Sequence, residues 1–400
     1  MLPSTSEDIL AKLISFDTTS RESNIPLIAW IEEFLDGHGV SHLRVDYEEG
    51  KKTNLYATIG PDVEGGIVLS GHTDVVPVDG QAWTSDPFAL TLRDGLLYGR
   101  GTCDMKGFIA VCLAMVPAFQ QAKLKVPIHF AFSCDEEVGC RGVVPLVEHM
   151  RDHLKRPAAV IVGEPTSMQV VNAHKSAVRY GTEVTGHESH SALTDRGVNA
   201  IMVAAEIISE INRIREDLIA EGDATGRFNP PYSTIHVGVI KGGTANNIVP
   251  KSCSFSWETR LLPTADREAV PKRIAALSRK LEPAMKKVSA AAGISTEKMT
   301  DVPGLAPEQD SPAELLALHC AHANSTHTVS YCTEAGHFQS IGIPAVVCGP
   351  GSIEQAHKPD EFIAVARESG RGSAARDVEG LAWLHGPARF GFACLRVPSR

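Results

Sequence analysis

GGIVLSGHTD, residues 65–74, decides the fold. Its apolar core does not alternate with polar residues, as a strand with one wet face would. An unbroken apolar run marks a strand covered on both sides, the habit of parallel sheets. His72 and Asp74 follow at its carboxyl end. The same pattern returns in PIHFAFSCDEE (127–137), AAVIVGEPT (158–166) and PAVVCGPG (344–351). Helical segments fall between these runs, at Met105–Gln121, near Val143–His153 and at Pro312–Ala323. Upstream lie the strand NLYATIG (54–60) and an N-terminal helix, with Ser4, Thr5 or Ser6 as its cap and Ile9, Leu10, Leu13 and Ile14 on one face. Strands alternating with helices specify an α/β domain with a doubly wound, mainly parallel sheet.

From about Ser176 the rhythm changes. AVRYGTEVTG (177–186) reads as a strand and GVNAIMVAAEIISEINRIRE (197–216) as a long amphipathic helix. STIHVGVIKGG (233–243) and SCSFSWETRLL (252–262) read as a strand pair joined by a Gly- and Asn-rich loop. A helix at Glu268–Val288 and the strand GISTEKMTDVP (293–303) complete a β-α-β-β-α-β order. The α/β rhythm then resumes. The expected organisation is a larger domain in two parts, 1–176 and 305–400, interrupted by a smaller domain at 177–304. The stretch from about residue 367 is atypical: six arginines, no lysine, three acids, and glycines at 370 and 372 that interrupt any helix begun at EFIAVAR. Two readings of it stand, a divergent terminus or a reading-frame change near the 3′ end of the gene.

Bulk composition narrows the function. A chain of 400 residues with 43% hydrophobic and 22% charged content suits a two-domain globular protein. A net charge of −10 argues against nucleic acid and anionic membranes as partners. No apolar run is long enough to span a bilayer, and the first residues do not read as a secretory signal. The nine cysteines are scattered without a CxxC pair, which fits reduced thiols in a cytoplasmic protein better than a disulfide framework.

The chemistry is concentrated after the strands. In open α/β sheets, ligands bind beyond the strands' carboxyl ends. His72 and Asp74 follow one strand, Asp135, Glu136 and Glu137 another, Glu164 a third and His357 a fourth, while Asp104 sits in YGRGTCDMKG just before a helix. Taken singly, each has an ordinary reading as a turn histidine, a solvated acid or a helix cap. Together they put imidazoles and several carboxylates on one edge. Such acids would raise one another's pKa values unless a cation sat among them. Imidazole with carboxylate suits zinc or a neighbouring divalent ion. Two divalent ions would balance Asp104, Glu137, Glu164 and a hydroxide, with Asp104 as a plausible bridge. Asp74, two residues from His72 on the same strand face, is placed to accept the second ring N–H and fix the tautomer. The adjacent glutamates then divide the work: one ligates metal, and the other stays available as a general base. There is no GxSxG elbow, phosphate-binding GxxxxGK[ST] loop or HExxH helix.

At these residues the chain resembles the M20 family of dinuclear metallohydrolases. The resemblance is carried by SGHTDVVPVDGQAWTSDPF, YGRGTCDMKG, SCDEEVGCRG, VGEPT, GHESHSALTDRGVNAI, GGTANNIVP and GPGSIEQAHKPDEF, in order across most of the chain. It implies that the larger domain is catalytic and that the inserted 177–304 is a lid or dimerisation domain, with one metal held by His72, Asp104 and Glu164, and a second held by Asp104, Glu137 and His357. Zinc is the first choice, with cobalt or manganese as alternatives. It also implies Glu136 as general base, Asp74 as the residue orienting His72, and His190 as a lid histidine polarising the scissile carbonyl, often from the partner subunit of a homodimer. Arg260 and Asn246 resemble lid groups that receive a substrate carboxylate. GRGTCDMKGF, TEAGHFQSIG and GPGSIEQAHKPDEF resemble most the branch that deacetylates N2-acetyl-L-ornithine, a small N-acyl amino acid. Glu334 is accordingly either a substrate-pocket residue or a helix N-terminal acid. The competing expectations are another amidohydrolase of the family (a desuccinylase, aminoacylase or dipeptidase), a non-catalytic binding protein on the same fold, or a two-metal phosphatase or nuclease, which the acidic surface disfavours.

Overall fold

A computed structural model describes residues 5–365. The chain divides into two compact units, the smaller comprising His174–Ala306 and Thr328–Cys332.

In the larger unit, α1 (Ser6–Ile14) and α2 (Ile25–Gly37) precede β1 (Ser41–Tyr47), β2 (Lys52–Ile59) and β3 (Ile67–His72). The cap of α1 is Thr5, whose hydroxyl accepts from the Asp8 N–H, and Ile9, Leu10, Leu13 and Ile14 are buried. Next come two short strands, β4 (Thr91–Arg93) and β5 (Leu96–Tyr98), and then α3 (Lys106–Ala114) and α4 (Val116–Gln121). The single helix expected over 105–121 is therefore two. Pro117 lacks the N–H that would continue the ladder and sits in the first turn of α4, where its loss is harmless. All of α3 up to Leu113 is buried, as befits a helix inside the core. The unit continues with β6 (Ile128–Ser133), α5 (Val143–His153), β7 (Ala159–Val162) and β8 (Val171–His174).

The smaller unit runs β9 (Ala177–Thr185), α6 (Ala200–Glu221), β10 (Thr234–Gly242), β11 (Ser252–Arg260), α7 (Ala269–Val288) and β12 (Gly293–Val302), the expected β-α-β-β-α-β order. Its sheet order is β10-β11-β9-β12, with every pairing antiparallel. α6 buries Ala200, Ala204, Ile207, Ile211, Ile214 and Leu218, one stripe at helical spacing. The sheet's buried face carries Trp257 stacked on Tyr180 at 4.1 Å, with the indole N–H donating to Thr182 Oγ1 at 3.0 Å.

The chain then gives α8 (Pro312–Cys320), β13 (His327–Val329), α9 (Ala335–Ser340), β14 (Ala345–Val347) and β15 (Phe362–Ala364). The main sheet has eight strands, β1-β2-β6-β3-β7-β14-β8-β13. It is mixed: β6, β3, β7 and β14 run parallel at the centre, while β1, β2 and β8 pair antiparallel towards the flanks. β3, β6 and β7 are buried along their whole length. A separate three-stranded sheet, β15-β5-β4, was not expected. It takes Phe362–Ala364 as a strand on β5 rather than as the start of a helix. The atypical stretch from about residue 367 lies outside the described residues.

Candidate metal centre

Strand register brings the donors together. β3 and β6 run parallel with His72 opposite Ser133, so residues 72–74 and 133–137 leave the sheet side by side. On the other flank of β3, Ser70 lies opposite Val162, and Glu164 follows two residues on. Asp104 enters from the loop before α3, and His357 from the segment between β14 and β15.

Asp104 faces both imidazoles. His72 Nε2 lies 3.0 Å from Asp104 Oδ1 and 3.8 Å from Glu164 Oε1. His357 Nε2 lies 3.4 Å from Asp104 Oδ2 and 3.0 Å from Glu137 Oε2. Ligand atoms of His72, Asp104 and Glu137 fall within 4.8 Å of one another, as do those of His72, Glu136 and Glu164. His72, Asp104 and Glu164 are buried, while His357 is exposed.

The electrostatics show what the cluster lacks. Burial, reinforced by the charge of Asp104, pushes the Glu137 and Glu164 carboxyls up. Burial would also raise Asp104, but its hydrogen bonds to His357 and His72 outweigh that and hold it low. Burial opposes charging His72, yet hydrogen bonds to Asp104 and Asp74 raise it. Hydrogen bonds to Asp104 and Glu137 carry His357 up to about 10. Carboxyls that resist ionising beside imidazoles that seek protons make a pocket short of positive charge. Its donors are hard oxygens and imidazoles, the set that divalent zinc and its neighbours prefer. The residues fit a metal.

Asp74 does something the sequence did not reveal. Its carboxylate accepts the main-chain N–H groups of Glu136 (3.1 Å) and Glu137 (3.3 Å), and the Ser20 hydroxyl at 2.7 Å. The acceptor nearest His72 Nδ1 is the main-chain oxygen of Asp74 at 2.9 Å, with the carboxylate at 3.6 Å. His72 Nδ1 therefore donates to that main-chain oxygen, which leaves Nε2 as the nitrogen turned towards Asp104. Asp135 adopts φ 53° and pairs with Lys52 at 2.5 Å, turning the chain just before the two glutamates. Glu136 Oε1 accepts the Cys140 thiol at 3.1 Å.

Glu334 is buried just ahead of α9 but makes no capping bond to it. It accepts the Ser133 hydroxyl at 2.5 Å, and burial pushes its carboxyl up to about 7. In the smaller unit, His190 is exposed and its Nδ1 accepts the Ala192 N–H at 3.1 Å, which leaves the proton on Nε2. Arg260 ends β11 with its Nε on Glu258 Oε1 at 2.8 Å. Asn246 lines a concavity of about 460 Å³ with Ser191, Thr194, Asn199 and Gly243.

A buried α/β sheet with oxygen and imidazole donors gathered at its carboxyl edge is the frame of a metal-dependent α/β protein. The chain belongs to peptidase family M20/M25/M40, whose model matches residues 68–372, and is accordingly a metal-dependent amidohydrolase. The acetylornithine deacetylase of Myxococcus xanthus is 36% identical over 368 residues, covering 89% of this chain and 92% of that one. The acetylornithine deacetylase of Pectobacterium carotovorum is 37% identical over 353 residues, covering 87% and 88%. Among solved structures, an M20 family metallo-carboxypeptidase from Sulfolobus solfataricus matches with a TM-score of 0.71 at 18% identity, over 95% of this chain and 97% of that one. A dinuclear metal binding peptidase of the family from Bacillus subtilis matches at 0.64 and 17%, over 98% and 96%. The structural likenesses speak for the fold.

Proposed function

We propose that this chain hydrolyses N2-acetyl-L-ornithine to L-ornithine and acetate, using two divalent ions, zinc foremost. The observation that carries the reading is Asp104 held between His72 and His357, within a chain that resembles acetylornithine deacetylases over nearly its whole length. His72, Asp104 and Glu164 would hold one ion, and Asp104, Glu137 and His357 the other. Bound there, the ions would polarise the scissile carbonyl and lower the pKa of water.

The chain's own residues do the rest. Glu136, kept apart from Glu137 by the turn that Asp74 fixes, takes a proton from the attacking water as the new C–O bond forms. It returns that proton to the departing α-amine as the C–N bond breaks. His190, protonated on Nε2, is a donor for the carbonyl oxygen as negative charge develops on it. Asn246 and Arg260 suit the substrate carboxylate, the guanidinium through its planar fork. Glu334, walled in beside Ser133, fits a supporting role beneath the centre better than direct substrate contact.

A homodimer accords with the smaller unit's surface. β10 is an edge strand on which Val239 and Ile240 are 54% and 52% exposed. An unpaired apolar edge is a template for a second strand. The described cysteines are all free thiols, consistent with a reducing cytoplasm, and no described helix is long and apolar enough to cross a membrane.

The test is kcat/KM of zinc-reconstituted protein on N2-acetyl-L-ornithine, N-succinyl-diaminopimelate, N-acetyl-methionine and a dipeptide. The first should lead by at least about tenfold, or about 1.4 kcal/mol. A lead for any of the others overturns the substrate assignment.

A further inference from the structure

Glu361 is a carboxylate 1% exposed, just ahead of β15, and it is fully engaged. Its Oε1 accepts the main-chain N–H groups of Cys103 (2.8 Å), Asp104 (3.0 Å) and Gly101 (3.1 Å). Its Oε2 accepts Arg100 Nη1 at 2.6 Å and shares the Gly101 N–H. The other arm of Arg100, Nη2, donates to Gln81 Oε1 at 2.6 Å. Gln81 in turn donates from Nε2 to the main-chain oxygen of His357 at 2.9 Å. Trp83 fixes the Gln81 amide by donating to the same Oε1 at 3.0 Å. The circuit closes through the four peptide bonds between His357 and Glu361. It joins two segments over 250 residues apart in sequence, one carrying Asp104 and the other His357.

The demand for such a connection is visible in the backbone. His357 stands at φ 64°, a region that residues other than glycine leave unless their surroundings hold them. Its exposed ring is held at the tip, by Glu137 and Asp104. At the main chain, the bond from Gln81 holds its carbonyl. On the other side, three N–H groups on one carboxylate oxygen fix the loop that aims Asp104.

We propose that Glu361, Arg100 and Gln81 form a positioning clamp that sets the spacing of Asp104 and His357, and so the affinity of the centre for the ion on the His357 side. This rests on the ligand assignment proposed above. Glu361 acts on Asp104 directly, and both ions would share that residue; Gln81 acts directly on His357 and reaches Glu361 only through Arg100. The two arms therefore predict different losses.

The experiment is chelator-competition titration of zinc into metal-stripped full-length protein, with the visible spectrum of the cobalt form and the Tm of the metal-free form measured alongside. Gln81→Ala should weaken the weaker of two binding events by about 10–100-fold, the usual loss when a ligand's support is removed. The tighter event and the tight-site cobalt bands should stay as in the wild type, while the metal-free Tm reports what losing the Arg100 and Trp83 bonds costs the fold. Glu361→Gln should weaken both events. Wild-type affinities in Gln81→Ala overturn the clamp, and so does equal weakening of both events with a lowered metal-free Tm, the mark of a merely structural role. A wild type that binds fewer than two ions sinks the two-ion reading itself, a failure seen without any variant.

Discussion

His129 offers a test of the core by pH. It sits in β6 with its ring stacked on Tyr56 at 5.1 Å and Nδ1 3.0 Å from the Thr58 hydroxyl. A methyl built on Gly66 would run into its Nε2, so the buried ring lies close against backbone on that side. Burial lowers its pKa from 6.5 to about 4. Between those values the unfolded chain binds the proton and the folded chain does not. Stability therefore falls as pH drops through that window. The full loss, below about pH 4, is about 3.4 kcal/mol at 1.36 kcal/mol per unit, and between pH 7.5 and 5 it is about 2 kcal/mol. Guanidinium unfolding of metal-stripped protein at both pH values, for wild type and His129→Gln, isolates this share. Other titrating groups are common to both proteins and cancel in the double difference. The variant should lose about 2 kcal/mol less than the wild type on acidification. An equal loss in the two proteins would show that the ring can be protonated in place, and the burial argument would fail.

Three further outcomes follow from the site and the surface. Glu136→Gln should retain its zinc while kcat falls by about 10²–10⁴, the usual share of a general base; metal analysis beside steady-state kinetics checks both halves. Gly349→Ala would drive a Cβ into the carbonyl oxygen of Gly163, next to Glu164. It should lower stability by about 1–3 kcal/mol by overpacking, read from guanidinium unfolding of the metal-free protein. Ile240→Asp, on the exposed edge strand of the smaller unit, should leave the monomer folded and abolish dimer formation in sedimentation velocity; an unchanged dimer would place the interface elsewhere.

The sequence reveals most where apolar runs are long and end in chemistry. β3, β6 and β7 are mainly apolar segments, interrupted in β6 by His129, and the donors follow them directly, so His72, Glu137 and Glu164 could be put on one edge without coordinates. The helices and strands of the smaller unit were equally plain, because α6 and β9 carry clean 3.6 and 2.0 periods. What escaped was short or conditional. β4, β5 and β15 have three residues each, too few for any period to show. β1 is half-exposed along its length, so its pattern is weak. The break at Pro117 was readable, since proline cannot continue a helix; the apolar character of 105–121 concealed it. Spacing alone could not say whether Asp74 meets His72 through its carboxylate or its main chain. It also gave no sign that the carboxylate holds the Glu136 and Glu137 amides. Glu361 looked like one more acid in KPDEF. Only its burial against Arg100 and three amides distinguishes it, and that depends on a pairing of β15 with β5 across the whole chain.

Everything functional turns on whether Asp104 stands between two cations. Anomalous diffraction at the zinc edge, from crystals of zinc-loaded full-length protein, tests this directly. Two peaks should flank its carboxylate, one against His72 and Glu164, the other against Glu137 and His357. A single peak, or peaks away from Asp104, would contradict the account.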